Sequence, residues 1–172
     1  VLSEVITIMF EVEDLTSASP ATVSRCGMVY MEPNALGLQP IIDSYIAKFP
    51  KTFSTKDFDI TLLLKNLLST VGLEAIAFVR KNLKEPCTTT DPNLFASMLK
   101  ILDCFYDKYR EQKTIEKNEL EILFTSSASI FFYSLIWSIG ITSNEKGRKE
   151  FSKFVMPKIK EKTVELYSNI FI

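Results

Sequence analysis

At 172 residues the chain is the size of one domain, and its 20 Lys plus Arg against 21 Asp plus Glu supply neither a basic stripe for nucleic acid nor an acidic solvating tail. Histidine is absent, which removes the usual general base near neutral pH, the commonest metal ligand and every Ser-His-Asp or Cys-His arrangement. The five glycines spell neither G-x-x-x-x-G-K-[ST] nor G-x-G-x-x-G, and Cys26, Cys87 and Cys104 form no C-x-x-C pair, so no phosphate loop and no metal site are expected, and the thiols read as buried or idle in a reduced compartment.

In chain order, Val1 to Phe10 has Glu4 inside, no positively charged region and no small-residue cleavage site. It is not a signal peptide, and without an initiator Met the chain reads as cut from something longer. Val5 to Phe10 is short and β-branched, the pattern of a fully buried strand ending near Glu11. Ser19-Pro20 supplies an N-cap and a proline at the first helical position, and Ala21 to Arg25 makes little more than about one and a half turns before Gly27. Gly27 to Met31 is a second strand candidate. Two strands joined by a short helix are a piece of an α/β unit without the rest of its sheet, so residues 1–32 read as a remnant.

From Glu32-Pro33 onward the pattern is helical. Gln39-Pro40 opens a helix that runs toward Phe49-Pro50. Ser54-Thr55-Lys56-Asp57 resembles a capping box before Ile60, Leu64, Leu67, Leu68 and Val71, with Gly72 a possible break before Ile76 to Leu83. Asp91-Pro92 starts a long helix with Leu94, Met98, Ile101, Leu102, Phe105 and Tyr109 on one face. Arg110 to Asn118 is charged and reads as a loop or a solvated helix start.

Residues 122–141 hold no charged side chain over the length of a membrane span. Six hydroxyls dilute the run and basic anchors are absent directly after it, which favours a buried helix, with a single-pass membrane protein as the alternative. Phe131, Phe132, Tyr133 and Trp137 within it read as core. Asn144 to Lys153 reads as a polar segment, and Met156-Pro157 as a break before an amphipathic end carrying Ile159, Val164, Leu166 and Tyr167.

The informative string is Phe10 to Tyr30, containing Ala18-Ser19-Pro20-Ala21-Thr22-Val23-Ser24-Arg25-Cys26-Gly27. It closely resembles the end of the large subdomain of the second AAA+ module of dynein heavy chains, most like the axonemal branch. Phe132 to Gly140, followed by Gly147-Arg148-Lys149 and Phe151, resembles the helix closing the same module's small subdomain and the lead into the third module. Leu36 to Pro40 and Asp43-Ser44-Tyr45 are similar to the segment between, where the family usually has tryptophan at the positions of Leu38 and Tyr45. The resemblance covers about residues 5–155.

The fold implied is mainly α: a helical AAA+ small (lid) subdomain over 33–141, preceded by a two-strand remnant of the α/β large subdomain over 1–32 and followed by a linker or divergent end over 142–172. Arg25 ends a short helix before a strand, where a guanidinium can reach out of its own subunit and offer a bidentate fork to phosphate oxygens. By resemblance it is an arginine finger in trans, completing the ATP site of the neighbouring first module; otherwise it pairs with a carboxylate or a helix C-terminus. Glu11 falls where AAA+ modules place a nucleotide sensor, and a carboxylate there repels phosphate, in keeping with a module that holds ATP structurally. The other reading of Glu11, Glu13 and Asp14 is a solvated acidic loop.

The resemblance thus implies part of an ATP-driven microtubule motor, in the cytoplasm and on the cytoskeleton of the ciliary axoneme. ATP and Mg would be bound by the parent motor and not by this chain. The implied partners are neighbouring AAA+ modules of the same heavy chain and, through the parent, microtubules and dynein light or intermediate chains, with neither nucleic acid nor membrane. A free-standing helical interaction domain is a further alternative.

Overall fold

The computed structural model describes residues 5–31, 36–110, 112 and 114–170. The chain divides into two units, Val1–Ala35 and Leu36–Ile172.

In the first unit the regular element is helix α1, Pro20–Arg25. Ser19 caps it, its Oγ accepting from the Thr22 amide at 3.2 Å, and Pro20 occupies the first turn, where the missing N–H is no loss. The two expected strands are not formed: residues 6–10 and 27–31 have no regular secondary structure. Their apolar side chains, expected in a core, are exposed, Phe10 at 80% and Tyr30 at 87%. A strand persists only when its backbone groups pair with a neighbour, and among the described residues these segments have no ladder partner.

The second unit is a helical bundle. Gly37 turns the chain at φ +60°, a backbone conformation that costs glycine nothing, ahead of helix α2, Gln39–Ile46. Pro50 and a 3-10 turn, Lys51–Phe53, follow. Tyr45, Phe49, Phe53 and Tyr106 form an edge-to-face cluster with centroids 5.3 to 6.0 Å apart, so the Tyr45 ring is packed among aromatic neighbours. Arg110 lies 4.9 Å over the Phe49 ring and pairs with Asp103.

Helix α3, Ile60–Leu67, is capped by Asp59 and not by the Ser54 box. The Asp59 carboxylate accepts from the Leu62 amide at 2.9 Å and the Thr61 hydroxyl at 2.6 Å, while Ser54 contributes by donating to it at 2.8 Å. Gly72 is no break. A π turn, Leu68–Gly72, carries the chain directly into α4, Leu73–Asn82.

Helix α5, Asp91–Arg110, buries Leu94, Phe95, Met98, Leu99, Leu102 and Tyr106. The expected stripe was rotated: Phe105 is exposed and Ile101 and Tyr109 are only partly covered.

Helix α6, Lys117–Ser138, packs on α3, α5 and α7, Glu145–Ile170. Its buried hydroxyls satisfy themselves along the helix: Ser127 donates to the Leu123 carbonyl (2.6 Å), Ser134 to Ile130 (2.8 Å) and Ser138 to Ser134 (2.6 Å). Ser127 also accepts from the Tyr106 hydroxyl at 2.9 Å, and burial pushes that phenol up to about 12. A hydroxyl-rich helix is therefore buried without orphaned polar groups. Ile60–Asn82 and Lys117–Thr142 are long and apolar enough to cross a membrane, and 44% and 50% of their apolar windows are buried within the protein.

Phe131 and Phe132 are core as expected, but Tyr133, Ile136 and Trp137 are half-exposed on the other side of α6. Helix α7 runs through the expected polar segment and through the expected break at Met156-Pro157. Gly147 sits in its first turn, its amide donating to the Asn144 side chain at 2.8 Å, and Pro157 is on an exposed face, where the unmade hydrogen bond faces water. Residues 142–172, expected as a linker or divergent end, place Phe151 and Val155 in the same core, and Phe154 stacks on Phe78 at 4.4 Å. The side chains of Val164, Leu166 and Tyr167 lie outside the described residues.

Candidate functional site

Arg25 is the last residue of α1. Its guanidinium donates one hydrogen bond, from Nη1 to the Ala21 carbonyl at 2.9 Å, one turn back along its own helix. Of the two alternatives to a finger, the carboxylate pair is not made among the described residues, while the contact with a helix C-terminus is the bond to the Ala21 carbonyl. A cation at a helix C-terminus interacts favourably with the carbonyl end of the dipole, and that single bond leaves the remaining N–H donors of an exposed guanidinium available. The geometry suits a fork presented outward to an oxyanion. The strand expected after Arg25 is absent: Cys26 ends the helix with its amide donating to the Val23 carbonyl at 3.3 Å, and Gly27 to Met31 is exposed.

Glu11 lies in the irregular segment before α1 and is exposed. The polar contacts nearby belong to Asp14, whose Oδ1 accepts from the Thr16 hydroxyl at 2.6 Å and the Thr16 amide at 3.0 Å. Those two bonds hold the Asp14 carboxyl below the ordinary carboxylate range. This local turn brings the chain toward Ser19, and it was not visible in the sequence beyond the general turn preference of Asp. The structure brings Glu11 and Arg25 into no shared hydrogen-bond network.

All three cysteines are free and exposed, so of the two readings, buried or idle, burial does not hold. Among the described residues no group of His, Cys, Asp or Glu side chains is placed to hold a metal ion.

Gly147-Arg148-Lys149 carries the family resemblance, but the sequence alone assigns Arg148 no role. In the structure Arg148 stands at the rim of a groove between the end of α6 and α7, with its Nη1 donating to the Ser143 carbonyl at 3.3 Å. The resemblance of the string was the available signal; the groove beside it depends on tertiary packing.

Comparison with known proteins gives a consistent result. The family model described as dynein heavy chain AAA lid domain matches residues 64–169. The chain is 40% identical over 168 residues to dynein axonemal heavy chain 1 of Homo sapiens, covering 96% of this chain and 4% of that protein. It is 34% identical over 161 residues to dynein axonemal heavy chain 3 of Mus musculus (89% of this chain, 4% of that protein) and 30% identical over 154 residues to dynein axonemal heavy chain 2 of Homo sapiens (90% and 3%). The chain thus spans only a few per cent of the length of these relatives. No solved structure matches it.

Proposed function

The chain belongs to the dynein heavy chain AAA lid family, and on that footing we propose that it works within an axonemal dynein motor, with Leu36–Ile172 as a helical lid and Arg25 as an arginine finger acting in trans. The observation that carries the finger is the state of the Arg25 guanidinium: exposed, at the end of a capped helix, bonded to its own helix carbonyl and free of a carboxylate among the described residues. Such a fork fits two phosphate oxygens on the nucleotide of an adjacent AAA+ module. Charge builds on the transferred phosphoryl group in the transition state, so an arginine placed there acts mainly on turnover and little on nucleotide affinity.

Glu11 supports the same reading in its own module. An exposed carboxylate at a sensor position disfavours close approach of phosphate, which suits a module that retains ATP and turns it over slowly. The sequence carries no phosphate loop, so ATP and Mg belong to the remainder of the motor. The partners that follow are neighbouring AAA+ modules of the same heavy chain and, through the motor, microtubules and dynein light or intermediate chains, on the cytoskeleton of the ciliary axoneme.

The test is made in the full motor. Arg25→Ala is expected to lower ATP hydrolysis at the first module by on the order of 10³-fold with nucleotide affinity little changed, and Arg25→Lys to restore only part, since an ammonium keeps the charge and loses the planar fork. Unchanged ATPase and gliding speed in Arg25→Ala would reduce Arg25 to a helix-terminal cation and leave the chain as scaffold.

A further inference from the structure

Within the helical unit, α6 ends at Ser138 and the chain turns through Gly140–Thr142 into α7, leaving between them a groove of about 500 Å³. Phe151 and Val155 form its buried floor. Its walls are Ile136, Trp137, Ile141 and Met156, each between 41% and 53% exposed, an unusually large apolar display for one helix corner. The sole charged group among the described lining residues is Arg148. Lys149, Lys153 and Lys158 on the same helix are each held by a carboxylate, Glu145, Glu150 and Glu74, whereas Arg148 is bonded to the Ser143 carbonyl and has no carboxylate partner among the described residues.

We propose that this groove docks an amphipathic helix of a protein partner, its apolar face on Trp137, Ile141 and Met156 and an acidic side chain beside that face paired with Arg148. Three features select this occupant. The groove lies between two helices and its walls are half-exposed, a setting that accepts a third helix laid against it. Half-exposed walls do not enclose a small molecule, whose pockets bury most of the ligand. The lining carries an unneutralised guanidinium and no carboxylate, and between Glu145 and Lys162 α7 has more cations than anions, so the complementary partner is acidic. Trp and Arg, one of each in this lining, are the residue types that most often dominate interface energies.

Trp137 is the one tryptophan of the chain and reports directly on the groove. The whole chain is titrated with a helical Leu/Glu peptide of about 18 residues that lacks aromatic side chains, and with a matched Leu/Lys peptide. The acidic peptide is expected to shift Trp137 emission to the blue and the basic one to leave it unchanged. Arg148→Gln should weaken the acidic peptide about tenfold, the loss of one charge-assisted contact, with helical circular dichroism preserved. Met156→Lys, at a wall position, should abolish the shift. The proposal is overturned if both peptides bind alike, if neither moves the emission, or if Arg148→Gln binds as the parent does. It is equally overturned if only raising the chain concentration or adding phosphatidylcholine vesicles moves the emission, since the occupant is then a second copy or a lipid surface.

Discussion

Phe10 and Phe131 are the same residue in the same chain, yet the first is 80% exposed and the second 0%. Both stand in strongly apolar strings, Val5 to Phe10 and Ile130 to Leu135. The difference lies in what each string can satisfy alone. A helix closes its own backbone hydrogen bonds and needs neighbours only for its apolar face, and α6 finds them in α3, α5 and α7. A strand needs neighbours for its backbone as well, and without a ladder its side chains have no second layer to lie against.

The largest effect that can break this contrast comes from truncating the two phenylalanines. Phe131→Ala removes a fully buried ring that packs edge-to-face on Phe132 at 5.3 Å, and is expected to cost about 3–5 kcal/mol by urea denaturation. Phe10→Ala should stay within about 0.5 kcal/mol, the range of surface substitutions. A comparable loss at Phe10 would mean that the first unit has a core after all.

The helical unit was largely legible because its signals are local. Pro40, Pro50 and Pro92 mark helix starts and a stop, and the 3.6-residue apolar period of α3 and α5 is clear, while α6 was legible from its long uncharged run. What failed depended on surroundings. The stripe of α5 was placed on Phe105 and Tyr109, while the partners available, including Ser127 across the interface, select Tyr106. Pro157 reads as a breaker and 144–153 as a polar segment, but Gly147 lies in a helix's first turn and Pro157 on a water-facing side, where neither disturbs an interior hydrogen bond. For the candidate site, the short helix ending in Arg25 was visible from its Ser-Pro start and Gly stop, whereas the strands beside it were inferred from apolar runs that report burial only when a partner layer is present. The groove at Arg148 was not visible at all, because its walls come from two helices whose exposed faces the apolar count alone assigned to the core.

A smaller effect sharpens the comparison through glycine. A Cβ added at Gly140 would lie 2.7 Å from two ring carbons of the buried Phe151, so Gly140→Ala must displace that ring and is expected to cost about 1–3 kcal/mol by the same denaturation. At Gly27 nothing lies within 4 Å, and Gly27→Ala should leave the midpoint unchanged. If Gly140→Ala is neutral, the α6–α7 corner is looser than its packing implies and the floor of the groove moves with it.

The smallest expected effect compares two helix caps and adds a pH test. Asp59 caps α3, whose Ile60, Leu64 and Leu67 are buried, so Asp59→Ala should cost about 1 kcal/mol, whereas Ser19→Ala at the exposed six-residue α1 should not move global unfolding. Although burial alone would raise the Asp59 carboxyl, the Thr61 hydroxyl, the Leu62 amide and the Ser54 hydroxyl hold it below the ordinary carboxylate range. A pKa depressed in the folded state gives stability that is fully present above the unfolded value, 3.8, and is lost as the pH falls through the folded value. Asp59→Asn keeps an acceptor for the Leu62 amide but has no charge to titrate or to favour the helix N-terminus. The stability difference between the parent and Asp59→Asn should therefore be constant near neutral pH and shrink on acidification below 3.8. A difference that persists undiminished to the lowest pH at which the fold survives would show that the carboxylate's charge contributes nothing and that Asp59 caps α3 through hydrogen-bond geometry alone.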